Sequence, residues 1–389
     1  MKAVVLAAGK GNRLWPLTKN RPKPMIPAAN RPVLAHIADS LEAANIDEMI
    51  LVVGENRERI QNHFRDGRDR DLNISYVVQN QQLGTGHALL QAESQIGASF
   101  IALNGDRIIA SELVESVWHH HQATNDPVMG VTRVDTPSRY GVVDLDGQTV
   151  TRVQEQPHPD LVSSNYINAG VYAFTPEIFG AVRQIDTHGE KALTDGLTSF
   201  IQEKRLSAVR HRGIWLDVSE PWDLLTVNDA LISSRGQLIE ADEPSTVDGS
   251  AVVAESAIFG NGTTVHPQTA VLQSTTVGDN VSVGPGAVIE NAILLPDTTV
   301  QAGAVVRDCI VGANTTIGPN TTIEGGTTDV VLNGTVYENV SFGALLGDNV
   351  TVGGNVTVAP GAIVGNNVTI EGASRVSGRI ADGSHIQRG

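Results

Sequence analysis

The stretch that decides the fold of the first half of the chain is Ala3-Val-Val-Leu-Ala-Ala-Gly-Lys-Gly-Asn-Arg-Leu-Trp-Pro-Leu17. Its apolar start, Ala3–Leu6, is typical of a short buried strand, and the glycines that follow predict a loop whose backbone N–H groups can bind phosphate oxygens. Arg13 in this loop and Lys23 in the following Arg-Pro-Lys-Pro-Met sequence add the positive charge that a phosphate also requires. The spacing matches neither the dinucleotide-binding Gly-x-Gly-x-x-Gly pattern nor a Walker A loop.

Short apolar runs alternate with amphipathic segments in this part of the chain. Met49–Val53, Ile74–Val78 and Phe100–Leu103 are suited to buried parallel strands, whereas Val33–Ala44 and His87–Ser94 have helical periodicity. The alternation predicts an α/β domain with a doubly wound, Rossmann-like sheet. Ligands of such sheets lie beyond the carboxyl ends of the strands, and the polar motifs of this half follow those ends.

From about Ser250 the period changes, and small or branched apolar residues recur every six positions. This period is typical of hexapeptide repeats, which form a left-handed parallel β-helix whose stacked coils bury their apolar corners. We interpret the many Asn-x-Thr and Asn-x-Ser triplets as turn and strand residues of the coils rather than glycosylation sites. The period is carried by Phe259, Val265, Val271, Val277, Val283, Ile289 and Leu295, by Val305, Val311, Ile317 and Ile323, and by Leu346, Val352, Val358, Val364, Ile370 and Val376.

Two segments interrupt these periods and suggest how the chain is divided. Gly325–Phe342 is predicted to be a loop that projects from the coil. Acidic, Pro and Ser residues at 235–247 interrupt both periods and indicate a linker between the two parts of the chain. We therefore expect the α/β domain over residues 1–232, the linker over 233–247, the β-helix over 248–380 and a tail over 381–389.

Composition excludes several classes of function. The net charge of −16 argues against a nucleic-acid partner, which requires a basic face. No run approaches the roughly 18 apolar residues of a membrane span and no signal peptide is recognisable, so we expect a cytoplasmic protein with no membrane partner. The single cysteine, Cys309, excludes a disulfide framework and a multi-cysteine metal site. The scarcity of lysine predicts either halophilic adaptation to concentrated salt or an ordinary acidic enzyme.

Further polar motifs follow in order along the first part of the chain: Leu83-Gly-Thr-Gly-His-Ala-Leu89, Asn104-Gly-Asp106, Tyr140-Gly141, Glu155-Gln-Pro157, Asn168-Ala-Gly170 and Trp215-Leu-Asp217. Together with the glycine loop, they closely resemble the nucleotidyltransferase family of sugar-nucleotide pyrophosphorylases. The resemblance implies an in-line attack by the oxygen of a sugar 1-phosphate on the α-phosphorus of a nucleoside triphosphate. Pyrophosphate would leave without a covalent enzyme intermediate.

The resemblance also implies which residues bind the nucleotide. Arg13 and Lys23 would contact its phosphates and, with Asp106, form the catalytic set. The pyrimidine edge would be read by Gln79, Gly84 and Thr85, because an amide side chain and backbone groups supply the paired donor and acceptor that uracil or thymine requires. We expect UTP, with dTTP as the alternative. The remaining nucleotide contacts would come from Leu6, Ala7, Ala8, Gly9 and Gly11, with Asp106.

For the sugar and the metal, the resemblance implies two further sets. Asp106 and Asp217 would bind magnesium, which prefers hard oxygen ligands and is usually held by one or two carboxylates together with substrate phosphates. The Leu83 motif is most similar to the branch that acts on N-acetylglucosamine 1-phosphate, and glucose 1-phosphate is the alternative. The sugar would be held by Asn104, Gly141, Glu155 and Asn168.

One residue departs from the family pattern. Related thymidylyl- and uridylyltransferases commonly have Glu-Lys-Pro, with the lysine on the phosphate of the sugar, whereas this chain has Gln156 at that position. A glutamine can donate a hydrogen bond but cannot neutralise charge. We therefore expect that role to move to another residue or to weaken.

Three interpretations of the whole chain remain open. The first is a transferase that uses the β-helix to assemble a homotrimer. The second is a bifunctional enzyme whose β-helix also acetylates glucosamine 1-phosphate. We predict that this activity is absent or altered, because His266, the histidine of the repeats, lacks the His-x-x-Tyr-x-Gly-Asp context of the bifunctional relatives. The third is a non-catalytic regulatory subunit, which would have no need to retain Arg13, Lys23, Asp106 and Asp217 together.

Overall fold

The computed structural model describes residues 1–185, 189–235 and 245–388, so residues 236–244 of the predicted linker lie outside the described residues. The chain forms two compact units, and two short segments from the start of the chain belong to the same unit as its C-terminal half. The first unit comprises Met1–Lys10, Pro22–Met25 and Val33–Asp217, and the second comprises Gly11–Arg21, Ile26–Pro32 and Val218–Gly389.

Strands and helices alternate as predicted in the first part of the chain, whereas four strands follow one another without an α-helix over residues 128–174. Among the helices of the described residues, none combines the length and apolarity that a membrane crossing requires. The strands are β1 (Lys2–Ala7), β2 (Pro27–Ala28), β3 (Arg31–Pro32), β4 (Glu48–Val53), β5 (Asn73–Val78), β6 (Phe100–Asn104), β7 (Arg107–Ile109), β8 (Val128–Arg133), β9 (Gly141–Asp146), β10 (Thr149–Glu155), β11 (Tyr166–Phe174), β12 (Ser207–Arg210) and β13 (Trp215–Asp217). The helices are α1 (Val33–Ala43), α2 (Arg57–Phe64), α3 (Thr85–Gln91), α4 (Ser111–Thr124), α5 (Glu177–Arg183), α6 (Leu193–Gly196), α7 (Thr198–Gln202) and α8 (Pro221–Arg235).

The first unit is built on a nine-stranded sheet in the order β5-β4-β1-β6-β11-β8-β12-β10-β9. β1 pairs in parallel with β4 on one side and with β6 on the other, so the strand order reverses between β1 and β6. The carboxyl ends of strands at such a reversal are where ligands of open α/β sheets bind. The predicted strands and helices of this unit are confirmed, and the predicted Rossmann-like sheet positions the glycine loop at its reversal.

The second half of the chain is a parallel β-helix, as the six-residue period predicts. Val265 pairs with Val283 in the next coil, so this coil takes 18 residues. Most valines, isoleucines and leucines of the period form one buried cluster along the coil axis. Its strands are β14 (Thr246–Val247), β15 (Val252–Val253), β16 (Ile258–Phe259), β17 (Thr264–Val265), β18 (Ala270–Val271), β19 (Thr276–Val277), β20 (Ser282–Val283), β21 (Val288–Leu294), β22 (Thr299–Val300), β23 (Val305–Val311), β24 (Thr316–Ile317), β25 (Thr322–Ile323), β26 (Thr327–Leu332), β27 (Thr335–Ser341), β28 (Ala344–Leu346), β29 (Thr351–Val352), β30 (Thr357–Val358), β31 (Ala362–Val364), β32 (Thr369–Ile370), β33 (Arg375–Val376), β34 (Arg379–Ile380) and β35 (His385–Ile386).

The corners of the coils explain the asparagine triplets. Asn280, Asn314, Asn320, Asn349, Asn355 and Asn367 have positive φ angles and each precedes a strand by two residues. Asparagine tolerates this left-handed conformation better than most residues. The interpretation of these triplets as turn and strand residues is therefore confirmed. The coil also extends beyond the predicted limits, because β14 pairs with β17 and β35 pairs with β32.

Two coils are one residue shorter than the period predicts. Val277 pairs with Leu294, and Leu294 pairs with Val311, so each of these coils takes 17 residues. The core positions belong to Leu294 and Val306, and the predicted positions Leu295 and Val305 are each wrong by one residue. The chain turns the shortened corners at Asn291 and Asp308, which have positive φ angles and are joined by an Nδ2–Oδ1 hydrogen bond of 2.7 Å.

The predicted loop Gly325–Phe342 is a β-hairpin. β26 and β27 pair antiparallel, and Leu332 pairs with Thr335 across the two-residue turn Asn333-Gly334, whose residues both have positive φ angles. Such a turn matches the twist of the strands that it joins. The hairpin leaves the coil next to the shortened corner, because Asp308 accepts a hydrogen bond of 3.0 Å from the backbone N–H of Gly326.

A buried ion pair joins the early segment Gly11–Arg21 to the late coils within the second unit. The Arg21 guanidinium donates to both carboxylate oxygens of Asp348, at 2.7 and 2.8 Å, and both side chains are more than nine-tenths buried. Asn366 donates to the carbonyl of Pro16 at 3.1 Å, and Lys19 pairs with Asp382 at 2.5 Å. The segment Gly11–Arg21, which follows the start of the glycine loop, is thereby fixed by coils more than 300 residues later in the chain.

The ion pairs of this segment differ in burial, and we expect their contributions to stability to differ accordingly. Asp348→Asn should lower the free energy of unfolding by about 3–5 kcal/mol, because it leaves the buried charge of Arg21 uncompensated. Lys19→Gln is the control, since the Lys19 side chain is 58% exposed, and it should cost less than about 1 kcal/mol. Urea unfolding of both variants at one salt concentration provides the measurement, and equal effects would contradict the expectation.

Candidate active site

The loop after β1 is held from both sides in the first unit. The Leu6 carbonyl accepts a hydrogen bond of 2.9 Å from the backbone N–H of Gly105, and the Ala8 carbonyl accepts one of 2.6 Å from Gln82 Nε2. A side chain at Gly105 would press on Ala7, since its Cβ would lie 3.0 Å from the Ala7 Cα. Gly9 is exposed, and beyond its chain neighbours no atom lies within 4 Å of the position that a Cβ would take there. The predicted nucleotide contacts Leu6–Gly9 thus form a fixed loop that ends at an open surface.

The residues predicted to read the base lie beside a second glycine loop. Gln79 is 4% exposed, and its Nε2 lies 3.2 Å from the Gly84 carbonyl and 2.9 Å from His87 Nδ1. Thr85 Oγ1 accepts a hydrogen bond of 2.9 Å from the backbone N–H of Leu193. Gly84 has φ 93° and ψ 174°, a conformation that is essentially restricted to glycine. The Gln79 amide is therefore held at a loop that only glycine can form.

The two predicted metal ligands are brought together by a small antiparallel pairing of β7 with β13. It places Asp217 opposite Arg107, one residue from Asp106. Lys23 Nζ lies 2.6 Å from Asp106 Oδ2, and Arg107 Nε lies 3.6 Å from Asp217 Oδ1. Each of these carboxylates therefore has a cation beside it.

These contacts shift the pKa values of the charged groups. Burial would raise the pKa of the Asp106 carboxyl, but Lys23 and Arg107 outweigh that effect and lower it below its ordinary value. Burial also disfavours the charged form of Arg107, whereas Asp217 and Asp106 favour it and raise the pKa of the guanidinium. Both groups are therefore charged at neutral pH.

The donor set fits magnesium in the way that nucleotide-dependent enzymes use it. Among the described residues, no group of three or more His, Cys, Asp or Glu side chains could hold a metal ion by itself. Two neighbouring carboxylates, Asp106 and Asp217, supply the hard oxygens that Mg²⁺ prefers, and substrate phosphates commonly complete such a site.

The predicted sugar contacts form a second group around Glu155. A Cβ at Gly141 would lie 3.0 Å from Glu155 Oε1, so the carboxylate packs directly on the glycine backbone. Thr194 Oγ1 donates to Glu155 Oε1 at 2.9 Å. One oxygen of the carboxylate is thus oriented by Thr194.

Asn168 has the most hydrogen bonds of the predicted sugar contacts. Its Nδ2 donates to the Tyr172 hydroxyl at 2.6 Å, and its Oδ1 accepts from the backbone N–H of Gly170 at 2.9 Å. Arg107 Nη1 donates to the Asn168 carbonyl at 2.9 Å. Gly170 has a positive φ angle, and a side chain there would overlap Asn104, whose Nδ2 would lie 2.7 Å from the Cβ.

Two series of contacts within the first unit connect some of the predicted site residues. The first runs from Thr85 through Leu193 and Thr194 to Glu155 and Gly141. A second series runs from Leu6 through Gly105 and Asp106 to Arg107 and Asn168.

Gly11 and Arg13 belong to the second unit, where their local contacts are defined. Gly11 adopts a left-handed conformation and its carbonyl accepts from Thr18 Oγ1 at 3.0 Å. Arg13 Nη1 lies 3.4 Å from Oε1 of the buried Glu220, and the Arg13 side chain is 47% exposed. Half of this side chain therefore remains accessible.

Sequence reasoning missed three residues of these contacts. Arg107 follows Asp106 directly, and a cation beside a predicted metal ligand was a signal that could have drawn attention to it. Thr194 and Gln82 gave no such signal. Thr194 and Glu155 are 39 residues apart in the sequence, and Gln82 and Ala8 are 74 residues apart. Local sequence patterns carry no information about contacts at such separations.

Comparison with known proteins identifies the family of the chain. Residues 2–234 match the model of the family described as nucleotidyl transferase, and residues 247–358 match that of the GMPPB C-terminal domain. The chain is 33% identical over 389 residues to the bifunctional protein GlmU of Methanococcus vannielii, with 93% of this chain and 91% of that protein covered. It is 32% identical over 315 residues to a glucose-1-phosphate thymidylyltransferase of Streptomyces griseus, with 79% and 87% covered.

A solved structure supports the fold of the first part of the chain. A UDP-glucose pyrophosphorylase complexed with UDP-glucose superposes with a TM-score of 0.54 at 24% identity, covering 60% of this chain and 99% of that protein. With the family match over more than half of the chain, the fold and the ordered motifs lead to one conclusion. The chain belongs to the nucleotidyl transferase family and is a sugar-phosphate nucleotidyltransferase.

Proposed function

We propose that the chain transfers a uridylyl group from UTP to N-acetylglucosamine 1-phosphate, giving the nucleotide sugar and pyrophosphate. A phosphate oxygen of the sugar 1-phosphate attacks the α-phosphorus, and the bond from that phosphorus to the β-phosphate bridging oxygen breaks. Glucose 1-phosphate is the alternative acceptor and dTTP the alternative donor.

The observation that carries the proposal is the cluster of two carboxylates and two cations around β7 and β13. Two anionic substrates must approach each other in this reaction, so their repulsion has to be cancelled by fixed positive charge. Lys23 at 2.6 Å from Asp106, and Arg107 beside Asp217, provide cations in a chain whose net charge is −16. Positive charge that is held in place in so acidic a chain supports a function in binding phosphates.

We assign the roles of the individual residues from the family resemblance. Leu6, Ala7, Ala8, Gly9 and Gly11 offer backbone groups to the nucleotide, and Lys23 and the half-exposed Arg13 contact its phosphates. Gln79, Gly84 and Thr85 bind the pyrimidine edge. Asn104, Gly141, Glu155 and Asn168 hold the sugar, whose hydroxyl groups donate to the Glu155 carboxylate.

Asp106 and Asp217 would hold Mg²⁺, which supplies positive charge to the triphosphate when it is bound. Their neighbouring position supports this assignment, because one or two carboxylates are the protein share of a typical magnesium site. Lys23 and Arg107 balance the two negative charges in the protein itself.

The choice of substrates rests on resemblance. The Leu83-Gly-Thr-Gly-His-Ala sequence favours UTP and N-acetylglucosamine 1-phosphate. The Streptomyces griseus relative is named for glucose 1-phosphate and thymidylyl transfer, which supports keeping that pair as the alternative. Gln156 in place of lysine agrees better with the acetylglucosamine branch.

A second activity on the β-helix is the main alternative, because the Methanococcus vannielii relative is named a bifunctional protein. Acetylation of an amine requires a positioned base. His266 Nε2 lies 3.5 Å from Ser282 Oγ, a contact that suits a polar residue of the coil. We therefore do not include acetyl transfer in the proposal.

The β-helix would then serve assembly. We propose a homotrimer in the cytoplasm, since flat-sided coils suit closed cyclic symmetry. Adaptation to concentrated salt is proposed from the net charge of −16 and the presence of only six lysines.

A panel of nucleotides and sugar phosphates tests the proposed reaction. UTP, dTTP, ATP and GTP are each combined with the 1-phosphates of N-acetylglucosamine, glucose, glucosamine and mannose, and pyrophosphate release is recorded with magnesium. We expect the highest kcat/KM with UTP and N-acetylglucosamine 1-phosphate. If no pair of nucleotide and sugar phosphate released pyrophosphate, the proposal would be contradicted and a non-catalytic subunit would be favoured.

The carboxylate pair gives a prediction about magnesium. Asp106→Asn and Asp217→Asn should each lower kcat by about 100-fold or more, because each removes one metal-binding charge while preserving the shape of the side chain. Asp160→Asn is the control, since that side chain is 88% exposed, and it should leave kcat unchanged. Near-normal turnover of both site variants at saturating magnesium would disprove the metal assignment.

The strained glycine gives a prediction about the base. Gly84→Ala should raise KM for the nucleotide and cost about 1–3 kcal/mol of stability, because the added Cβ would overlap the Lys191 backbone at a φ angle of 93°. Gly180→Ala is the control, as nothing lies within 4 Å of its Cβ and the residue is in α5. Both variants are compared in nucleotide KM and in urea unfolding. Equal nucleotide KM values would show that the Gly84 loop does not read the base.

A further inference from the structure

The phosphate of the sugar substrate needs a cation, and the predicted sugar contacts do not include one. Glu155 carries a negative charge, and Asn104, Gly141 and Asn168 are neutral. Gln156, which follows Glu155, is exposed and neutral, and its Nε2 lies 3.5 Å from the Arg139 carbonyl. A dianion bound by these groups alone would face the Glu155 carboxylate without compensation.

Arg107 is the cation that contacts this group. Its Nη1 donates to the Asn168 carbonyl at 2.9 Å, and a Cβ on Gly170 would lie 2.8 Å from the same nitrogen. Its guanidinium lies over the Trp215 ring, 5.4 Å from the centroid. The backbone around Asn168 and Gly170 thus leaves room for the guanidinium and fixes its plane.

The guanidinium also has an unused donor. Arg107 Nε is buried and has no hydrogen-bond partner among the described residues, because its distance of 3.6 Å to Asp217 Oδ1 is too long for a hydrogen bond. Buried polar atoms are nearly always hydrogen-bonded in native structures. An N–H group without an acceptor, on a cation beside the sugar contacts, indicates an anionic ligand.

Lys23, the other cation of the cluster, already has a carboxylate partner and an assigned role. Lys23 Nζ lies 2.6 Å from Asp106 Oδ2, and its side chain is 13% exposed. In the proposed function it contacts the phosphates of the nucleotide. Of the two cations of the cluster, Arg107 is therefore the one that remains for the second anionic substrate.

We propose that Arg107 binds the phosphate of the sugar 1-phosphate and takes the charge-neutralising role for which Gln156 is unsuited. The proposal rests on the proposed function, which it deepens by naming the residue that holds the acceptor phosphate. A guanidinium suits this role, because its planar set of five N–H donors can bind two phosphate oxygens at once while it stays stacked on an aromatic ring.

A chain of contacts connects the two positions and suggests a rescue experiment. The backbone N–H of Gln156 donates to the Tyr140 carbonyl at 3.0 Å, the Tyr140 ring packs on Trp215 with centroids 5.4 Å apart, and Arg107 lies over Trp215. The backbone of a lysine at position 156 would belong to this same series of contacts. We expect such a lysine to restore part of the acceptor binding if the charge of Arg107 serves the substrate.

A purely structural role would give a different result. Arg107 could serve only to join β11 to Asp217, in which case its loss would lower stability and kcat without a preference for one substrate. A lysine at position 156 would not repair such a defect. The two roles are thus separated by the KM values for the two substrates and by the rescue.

The experiment measures KM for the sugar 1-phosphate, KM for UTP and kcat in the full-length chain, together with the urea midpoint. The acceptors are N-acetylglucosamine 1-phosphate and glucose 1-phosphate. Arg107→Gln should raise the acceptor KM by about 10- to 100-fold, the usual value of a charge-assisted hydrogen bond, and change the UTP KM by less than about 3-fold. Arg107→Gln combined with Gln156→Lys should recover at least about 5-fold of the acceptor KM.

Two further variants complete the design. Arg133→Gln is the matched control, since its guanidinium also lies over an aromatic ring, 4.6 Å from the centroid of Tyr166, and it should leave both KM values unchanged. Arg107→Lys keeps the charge and decides the question if Arg107→Gln fails to fold, and it should raise the acceptor KM by about 3- to 10-fold because bidentate binding is lost.

Three outcomes would overturn the inference. An unchanged acceptor KM in the folded Arg107 variants would do so while the wild type remains active, and the proposed function would then stand. Equal increases in both KM values, without rescue by Gln156→Lys, would assign Arg107 a structural role. Absence of turnover in the wild type with any pair of substrates would remove the proposed function and this inference together.

Discussion

The candidate site depends on the antiparallel pairing of β7 with β13. This short pairing sets Asp217 opposite Arg107, the residue that follows Asp106, although the two aspartates are separated by more than 100 residues. Without it, the lone carboxylate of Asp106 beside Lys23 would be an ordinary ion pair. With it, two carboxylates and two cations lie around β7 and β13, and in the proposed function phosphates and a divalent ion bind to them.

The sugar contacts share their supports with this cluster. Arg107 reaches the Asn168 carbonyl, and Thr194 orients Glu155 from the segment that also holds Thr85. The residues assigned to the base, the phosphates and the sugar therefore contact the same neighbouring residues. Such shared support keeps reacting groups in fixed relative positions, which is the main contribution that a protein makes to phosphoryl transfer.

Much of this could be predicted from the sequence, and the failures have physical reasons. The strands, the helices and the ordered motifs are local patterns, and the structure has them where they were expected. The one-residue errors at Leu295 and Val305 arose because a shortened corner leaves the composition of the repeat unchanged. The contact of Thr194 with Glu155 could not be predicted, because it depends on tertiary packing alone.

The ion pair between Arg21 and Asp348 affects how far the chain can be treated as modular. The linker suggests two exchangeable parts, yet the guanidinium that follows the glycine loop is buried against a coil from the other end of the chain. A gene fusion or natural recombination that joined a new C-terminal part at the linker would leave that buried charge without its acidic partner. A replacement C-terminal part would need an acidic residue at the position of Asp348. We therefore expect the two halves of the chain to be inherited together.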